Sequence, residues 1–256
     1  MERAGAEALA RFRGASPERK ADGSVVTEAD RAVEALLIEG LERAFPGEGI
    51  LGEEGARVEA REGAATWYVD PIDGTSAFLG QLAYWGPTVC RVSDGQLDVG
   101  AFYVPRLEEL WYAEHGGGAW RNDTRLLPAG DLVARGGDPI LFVPSRFHRR
   151  GPAPWHGKVR ALGASAAHLA LVASGAGVGA VIPHWFLWDV GCGVLLIREA
   201  GRMIWDLAGN DFVPEGSERG RPFLAGTAEA LAQLTVDGWA ERAMRRTHST
   251  QESAGE

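Results

Sequence analysis

Two aspartates three positions apart lie in the stretch Trp67-Tyr68-Val69-Asp70-Pro71-Ile72-Asp73-Gly74-Thr75. Carboxylates brought this close repel each other unless a cation lies between them. Hard divalent ions such as Mg²⁺ take oxygen ligands, commonly carboxylates supplemented by backbone carbonyls, water and phosphate, and Ile72 offers a carbonyl between the pair. The first half of the stretch is aromatic and β-branched, as a buried strand requires. The spacing predicts that this strand stops at Asp70, because Asp-Pro neither continues a ladder nor opens a helix at the aspartate. Pro71 fixes one backbone angle and Gly74 permits a tight turn, so the link can aim both carboxylates at one point. Thr75-Ser76-Ala77-Phe78 then opens a short helix, whose unpaired amides make a seat for phosphate. An acidic turn after a strand has the same local pattern, so the decision rests on what the other elements deliver.

Residues 1 to about 13 read as a helix, and Thr27-Glu28-Ala29-Asp30 reads as the start of another. Thr27 can cap it, Asp30 sits at the third helical position, and Val33, Leu36, Leu37 and Leu41 follow at helical spacing. Asp30 taken alone is a capping-box carboxylate. Ile50-Leu51-Gly52-Glu53-Glu54-Gly55 is an apolar run leading into two carboxylates, and strands ending at one edge would bring Glu53 to Asp70 and Asp73. From Ala83 to Trp120, strands separated by Gly and polar pairs predict an antiparallel meander. Ile140 to Val143 and Gly179 to Ile182 are further strands, and a small-residue helix runs from Ser165 to a Gly175 stop. His168 lies on that helix as a packing or surface residue. Trp188-Asp189 opens the most apolar helix; Asp189 either caps it or aims a third carboxylate at the cation.

Composition narrows the classes. The chain has 256 residues, 45% of them hydrophobic, and a net charge of -9. An acidic chain with no long basic run is not expected to bind nucleic-acid polymers or anionic membranes, yet bound metal can reverse the field inside one pocket. The charged start lacks a signal core and no run reaches membrane-span length, so a cytoplasmic location is expected. Cys90 and Cys192 have apolar neighbours and no metal-ligand spacing, which predicts buried free thiols. The expected organisation is an N-terminal α+β part at 1–127 with the antiparallel sheet and metal site, a C-terminal α/β part at 128–244, and a polar tail at 245–256.

Four pieces stand in order: Thr27-Glu28-Ala29-Asp30, Gly52-Glu53-Glu54, Asp70 to Thr75, and Trp188-Asp189 leading to Glu199-Ala200-Gly201. The ordered set resembles the inositol monophosphatase family of Mg²⁺-dependent, lithium-sensitive phosphatases, over about Lys20 to Val213. The resemblance implies a layered α/β/α/β/α sandwich of the fructose bisphosphatase type and a site for two or three Mg²⁺, replaceable by Mn²⁺. It implies metal ligands Glu53, Asp70, Asp73, Asp189 and the Ile72 carbonyl. Thr75 would donate to Asp30, and this pair with Glu53 would orient and activate the attacking water; Gly74 and Thr75 amides, with Gly163 and Ala164, would hold the substrate. A small phosphorylated metabolite as substrate and a homodimer follow from the same likeness.

The chain departs from that family at several points. Ala77 replaces the usual Asn, and Gly163-Ala164 replaces Gly-Ser or Gly-Thr. Ile182 stands seven residues before Asp189, where a glutamate grips inositol hydroxyls, and Pro183-His184-Trp185-Phe186 follow. An apolar, aromatic wall suits a flatter or less hydroxylated leaving group, since a buried unpaired hydroxyl costs about 1 to 3 kcal/mol. Inositol phosphate, histidinol phosphate, a polyol or sugar phosphate and a nucleotide 3′-phosphate stay open. A non-catalytic metal- or phosphate-binding relative acting through a protein partner is the alternative. A serine or cysteine hydrolase lacks its Gly-x-Ser-x-Gly elbow.

Overall fold

The computed structural model describes residues 1–20, 23–127, 136–150, 153–214 and 220–245. The expected passage between the two parts and nearly all of the expected tail lie outside the described residues. A short pair, β1 (Glu18–Arg19) and β2 (Val25–Val26), precedes an eight-stranded sheet built from β3 (Gly49–Gly52), β4 (Arg57–Val58), β5 (Thr66–Asp73), β6 (Gly86–Ser93), β7 (Gln96–Val104), β8 (Glu109–Glu114), β9 (Gly118–Arg121) and β10 (Thr124–Arg125). Its order is β10-β9-β8-β7-β6-β5-β3-β4. A second sheet is formed by β11 (Ile140–Phe142), β12 (Lys158–Arg160), β13 (Gly179–Ile182), β14 (Met203–Trp205) and β15 (Phe223–Gly226), in the order β12-β11-β13-β15-β14.

Helices α1 (Glu2–Arg11) and α2 (Glu28–Ala44) cover the outer face of the large sheet, and α3 (Thr75–Leu79) follows β5 directly and packs near β2. Helices α4 (Ser165–Ala173) and α5 (Leu187–Glu199) lie between the sheets, and α6 (Ala228–Thr235) and α7 (Trp239–Arg245) close the far side. The result is the α/β/α/β/α sandwich. Position explains composition: α2 buries one stripe through Ala29, Val33 and Leu37, whereas α5 is apolar nearly all round because a sheet lies on each side of it. Cys90 and Cys192 are free and buried in the middle layer. No described helix is long and apolar enough to cross a membrane.

The meander appears as expected, with β6 through β9 antiparallel. The expected strand end at Asp70 does not. Strand β5 continues to Asp73: pairing with β6 is regular to Asp70↔Thr88, is interrupted, and resumes at Asp73↔Gly86. Pro71 has no N–H to give the ladder and occupies the interruption. The Ile72 amide turns instead to Asp70 Oδ1 at 2.8 Å.

Candidate active site

Backbone register builds the first half of the site. Strand β3 runs parallel to β5 with Gly52 opposite Val69, and the Glu53 amide donates to the Val69 carbonyl at 3.0 Å. Glu53 and Asp70 therefore leave adjacent strands at the same edge. The third carboxylate arrives on α5, where Asp189 is the third helical residue and accepts from the Phe186 amide at 2.7 Å. It is both a cap and a member of the site. One oxygen each from Glu53, Asp70 and Asp189 lie within 4.8 Å of one another, a grouping that could hold a metal ion.

The electrostatics suit such an ion. Burial, then the charges of Glu53, Asp73 and Asp189, push the Asp70 carboxyl well above the usual carboxylate range. Asp189 is raised too, first by burial and then by Asp73 and Glu53, against its bond from Phe186. Asp73 is pushed up to about 7, with burial the largest cause. Without a cation these groups relieve their repulsion by holding protons; a divalent ion would replace those protons and satisfy the same oxygens.

Asp73 has a second task. It lies outside the close group of three, and its Oδ1 and Oδ2 accept from the Ser165 and Ala166 amides at 3.1 and 2.7 Å. The N-cap of α4 is Ala164, which has no side-chain oxygen, so Asp73 supplies the missing acceptor from another element. The expected Thr75–Asp30 bond is not formed. Thr75 Oγ1 donates to the Ile72 carbonyl at 3.3 Å, while Asp30 Oδ2 accepts the Thr27 amide at 2.7 Å and the Thr27 hydroxyl at 2.6 Å. Capping of α2 has taken one oxygen of Asp30. Its other oxygen, Oδ1, is buried without a hydrogen-bond partner.

The expected substrate wall is corrected as well. Ile182 is 1% exposed, pairs with Phe223 in β13–β15, and belongs to the core rather than to a cleft. A central strand between two helical layers has no open face, which the spacing to Asp189 could not show. Ala164 and Ala77 are buried too: a Cβ on Gly74 would stand 2.9 Å from that of Ala164, and one on Gly163 would stand 3.4 Å from that of Ala77. Gly74 has φ 90°, so both backbone conformation and space demand glycine there. The aromatic pair that does remain half-buried beside Asp189 is Phe186 and Trp188, stacked at 4.8 Å and 13°.

Sequence reasoning missed the roles of two neighbours of the site, Lys20 and Glu34, and of Glu199 at the far end of α5. Lys20 Nζ lies 2.8 Å from Glu54 Oε1 and 3.6 Å from Glu53 Oε1. Glu34 accepts the Glu54 amide, and its position one turn after Asp30 on the buried stripe of α2 was the available signal. Glu199 accepts the Gly116 and Gly118 amides at 2.9 Å each, tying the β8–β9 turn to the end of α5. His168 proves to be a packing residue: it is 3% exposed, stacks on Phe142 and accepts the Leu162 amide through Nε2.

Comparison with known proteins bears on the family and the fold. The sequence model of the inositol monophosphatase family matches residues 2–238. The chain is 37% identical over 211 residues to an inositol-1-monophosphatase of Mesorhizobium japonicum, covering 77% of this chain and 78% of that protein. It is 30% identical over 205 residues to a histidinol-phosphatase of Chlorobaculum parvum, covering 77% and 78%. Among solved structures, the extragenic suppressor protein suhB of Bartonella henselae superposes with a TM-score of 0.81 at 25% identity, covering 96% of this chain and 95% of that one.

Proposed function

The chain belongs to the inositol monophosphatase family, and from that premise we propose that it is a Mg²⁺-dependent phosphomonoesterase that hydrolyses a small phosphorylated metabolite. The observation that carries the reading is the convergence of Glu53, Asp70 and Asp189 within 4.8 Å, with the Asp70 and Asp189 carboxyls raised above their usual range by burial and by the charges around them. These three would hold the ion. The Ile72 carbonyl and the remaining lone pairs of Asp73 are suited to complete a second position, since each carboxylate oxygen has a lone pair beyond the one given to α4. A bound divalent ion supplies charge neutralisation and Lewis acidity at the phosphoryl group.

The protein's own part is positioning and proton transfer. The buried, unpartnered Oδ1 of Asp30 is the acceptor for a proton from the attacking water. Thr75 would relay that proton once its hydroxyl turns from the Ile72 carbonyl, a bond long enough at 3.3 Å to be given up cheaply. Glu53 would orient the water from the opposite side. The Gly74 and Thr75 amides at the start of α3 would donate to the phosphate oxygens, while Gly163 and Ala164 shape the floor by packing. In-line phosphoryl transfer needs little else from a protein. For the leaving group we favour a flat or sparsely hydroxylated one, because Phe186 and Trp188 flank Asp189 and β13 brings no carboxylate there.

Phosphate release over a panel of inositol 1-phosphate, histidinol phosphate, fructose 1,6-bisphosphate, adenosine 3′,5′-bisphosphate and simple polyol phosphates tests this reading. Release is expected with Mg²⁺, inhibition with added Li⁺, and loss to background with EDTA. Inositol 1-phosphate is expected to trail the best substrate by about 10²-fold in kcat/KM. Full turnover in excess EDTA would overturn the metal assignment. Mg²⁺ binding without release from any member would favour the non-catalytic alternative.

A further inference from the structure

Glu34 is a carboxylate that the reaction does not use, yet it is only 7% exposed. It lies on α2 one turn after Asp30, and its Oε1 accepts the Glu54 amide at 2.9 Å. Glu53 is thus gripped on both sides along the backbone. Its own amide is bonded to Val69, immediately before Asp70, and the next amide is bonded to α2, which carries Asp30. The space for this contact exists because residue 52 has no side chain. A Cβ on Gly52 would stand 2.0 Å from Glu34 Oε1 and 2.8 Å from its Cδ.

We propose that Glu34 is a positioning residue: through the Glu54 amide it sets Glu53 in register with Asp30 and Asp70, and Gly52 is the clearance it requires. The inference rests on the reading of Glu53 as a cation ligand. A hydrogen bond one residue away is a short lever, because displacing the Glu54 amide rotates the peptide that carries the Glu53 carbonyl and redirects the Glu53 side chain. Groups that orient a ligand without touching the metal typically change metal affinity 10- to 100-fold when removed. The bond, and not the charge, is the working part. An amide oxygen at the same place would accept equally well.

The test is titration of the purified full chain with Mn²⁺ alone by calorimetry, which requires no turnover. Glu34→Ala should weaken Mn²⁺ binding about tenfold or more, while Glu34→Gln should stay within about threefold of wild type because its oxygen can still accept the Glu54 amide. Gly52→Ala should weaken binding as Glu34→Ala does, and the double variant should be no weaker than Glu34→Ala, since both changes remove one contact. At saturating metal the substrate KM should be unchanged in Glu34→Ala. Wild-type affinity in Glu34→Ala, an equal loss in Glu34→Gln, or full additivity with Gly52→Ala would each overturn the proposal. If Glu34→Ala does not fold, as judged by circular dichroism, Gly52→Ala with and without Glu34→Gln decides: unaltered Mn²⁺ affinity in Gly52→Ala overturns it. Wild-type protein that binds Mn²⁺ but releases no phosphate would count against the phosphatase reading and leave this one standing.

Discussion

The eight-stranded sheet brings its carboxylates to the site on strand ends, whereas the five-stranded side contributes through the starts of α4 and α5. Glu53 and Asp70 are adjacent because β3 and β5 are parallel neighbours, a relation set by backbone hydrogen bonds. Asp189 and the Ser165 and Ala166 amides are brought in by helices packed between the sheets. The difference shows in the work each aspartate does. Asp189 caps the helix that carries it; Asp73 caps a helix 92 residues away and ties the two sides together. Removing Asp70 therefore loses only its local bond from the Ile72 amide, whereas removing Asp73 uncaps a helix on the other side of the molecule.

Ile182→Glu gives the largest expected effect and would break the comparison outright. If the five-stranded side offered a side-chain wall to substrate, glutamate there would restore a grip on ring hydroxyls. Buried in the β13–β15 pairing, it would instead be an unpaired charge in the core, costing about 4 kcal/mol or more. The expected outcome is a thermal midpoint lower by roughly 10 °C or a failure to fold, with no gain toward inositol 1-phosphate. A stable variant that gains that activity would place Ile182 in the cleft.

Substituting the two strand-end aspartates sharpens the contrast. Both Asp70→Ala and Asp73→Ala should lose turnover by about 10²-fold or more. Only Asp73→Ala should free the first turn of α4. Amide exchange at Ser165 and Ala166, followed by NMR in EDTA, should speed up about tenfold, corresponding to a lost cap of about 1 to 2 kcal/mol. Equal exchange in the two variants would show that Asp73 does not hold α4.

These residues also show what a sequence can disclose. The layered fold followed from the family resemblance, whereas the meander and the candidate carboxylates Glu53, Asp70 and Asp189 were legible because each is marked locally, by strand composition, turn residues or a helix start. The capping role of Asp30 was equally local. The second task of Asp73 was hidden because its partners, the Ser165 and Ala166 amides, are remote in sequence and carry no side-chain signature. Ile182 was misjudged for a related reason: its distance from Asp189 along the chain is plain, but the two sheets and helical layers that bury it are not. Glu34 went unnoticed since a carboxylate on an amphipathic helix usually faces water, and only the clearance at Gly52 lets this one turn inward.

A last contrast separates the two sides by pH. Asp73 rises from an ordinary 3.8 to about 7 on folding, and Asp70 and Asp189 move in the same direction. Such carboxyls take up protons on folding, so the metal-free protein gains stability as pH falls from above 7 toward 4. His168 behaves oppositely: burial lowers it from 6.5 to about 4. Below pH 6.5 the unfolded chain gains a proton that the folded one refuses, and about 3 kcal/mol is lost by pH 4. In EDTA, the thermal midpoint should therefore rise as pH drops from 8 to 6.5, then flatten as His168 opposes the carboxyls. Saturating Mg²⁺ holds the carboxylates ionised, which removes the rise and leaves the fall below 6.5. His168→Gln keeps an acceptor for the Leu162 amide without the titration, so in Mg²⁺ its curve should stay flat where that of wild type declines. If the two curves run parallel from pH 6.5 to 4.5, His168 is not the group responsible, and the opposition between the carboxylate site and the five-stranded side fails at this point.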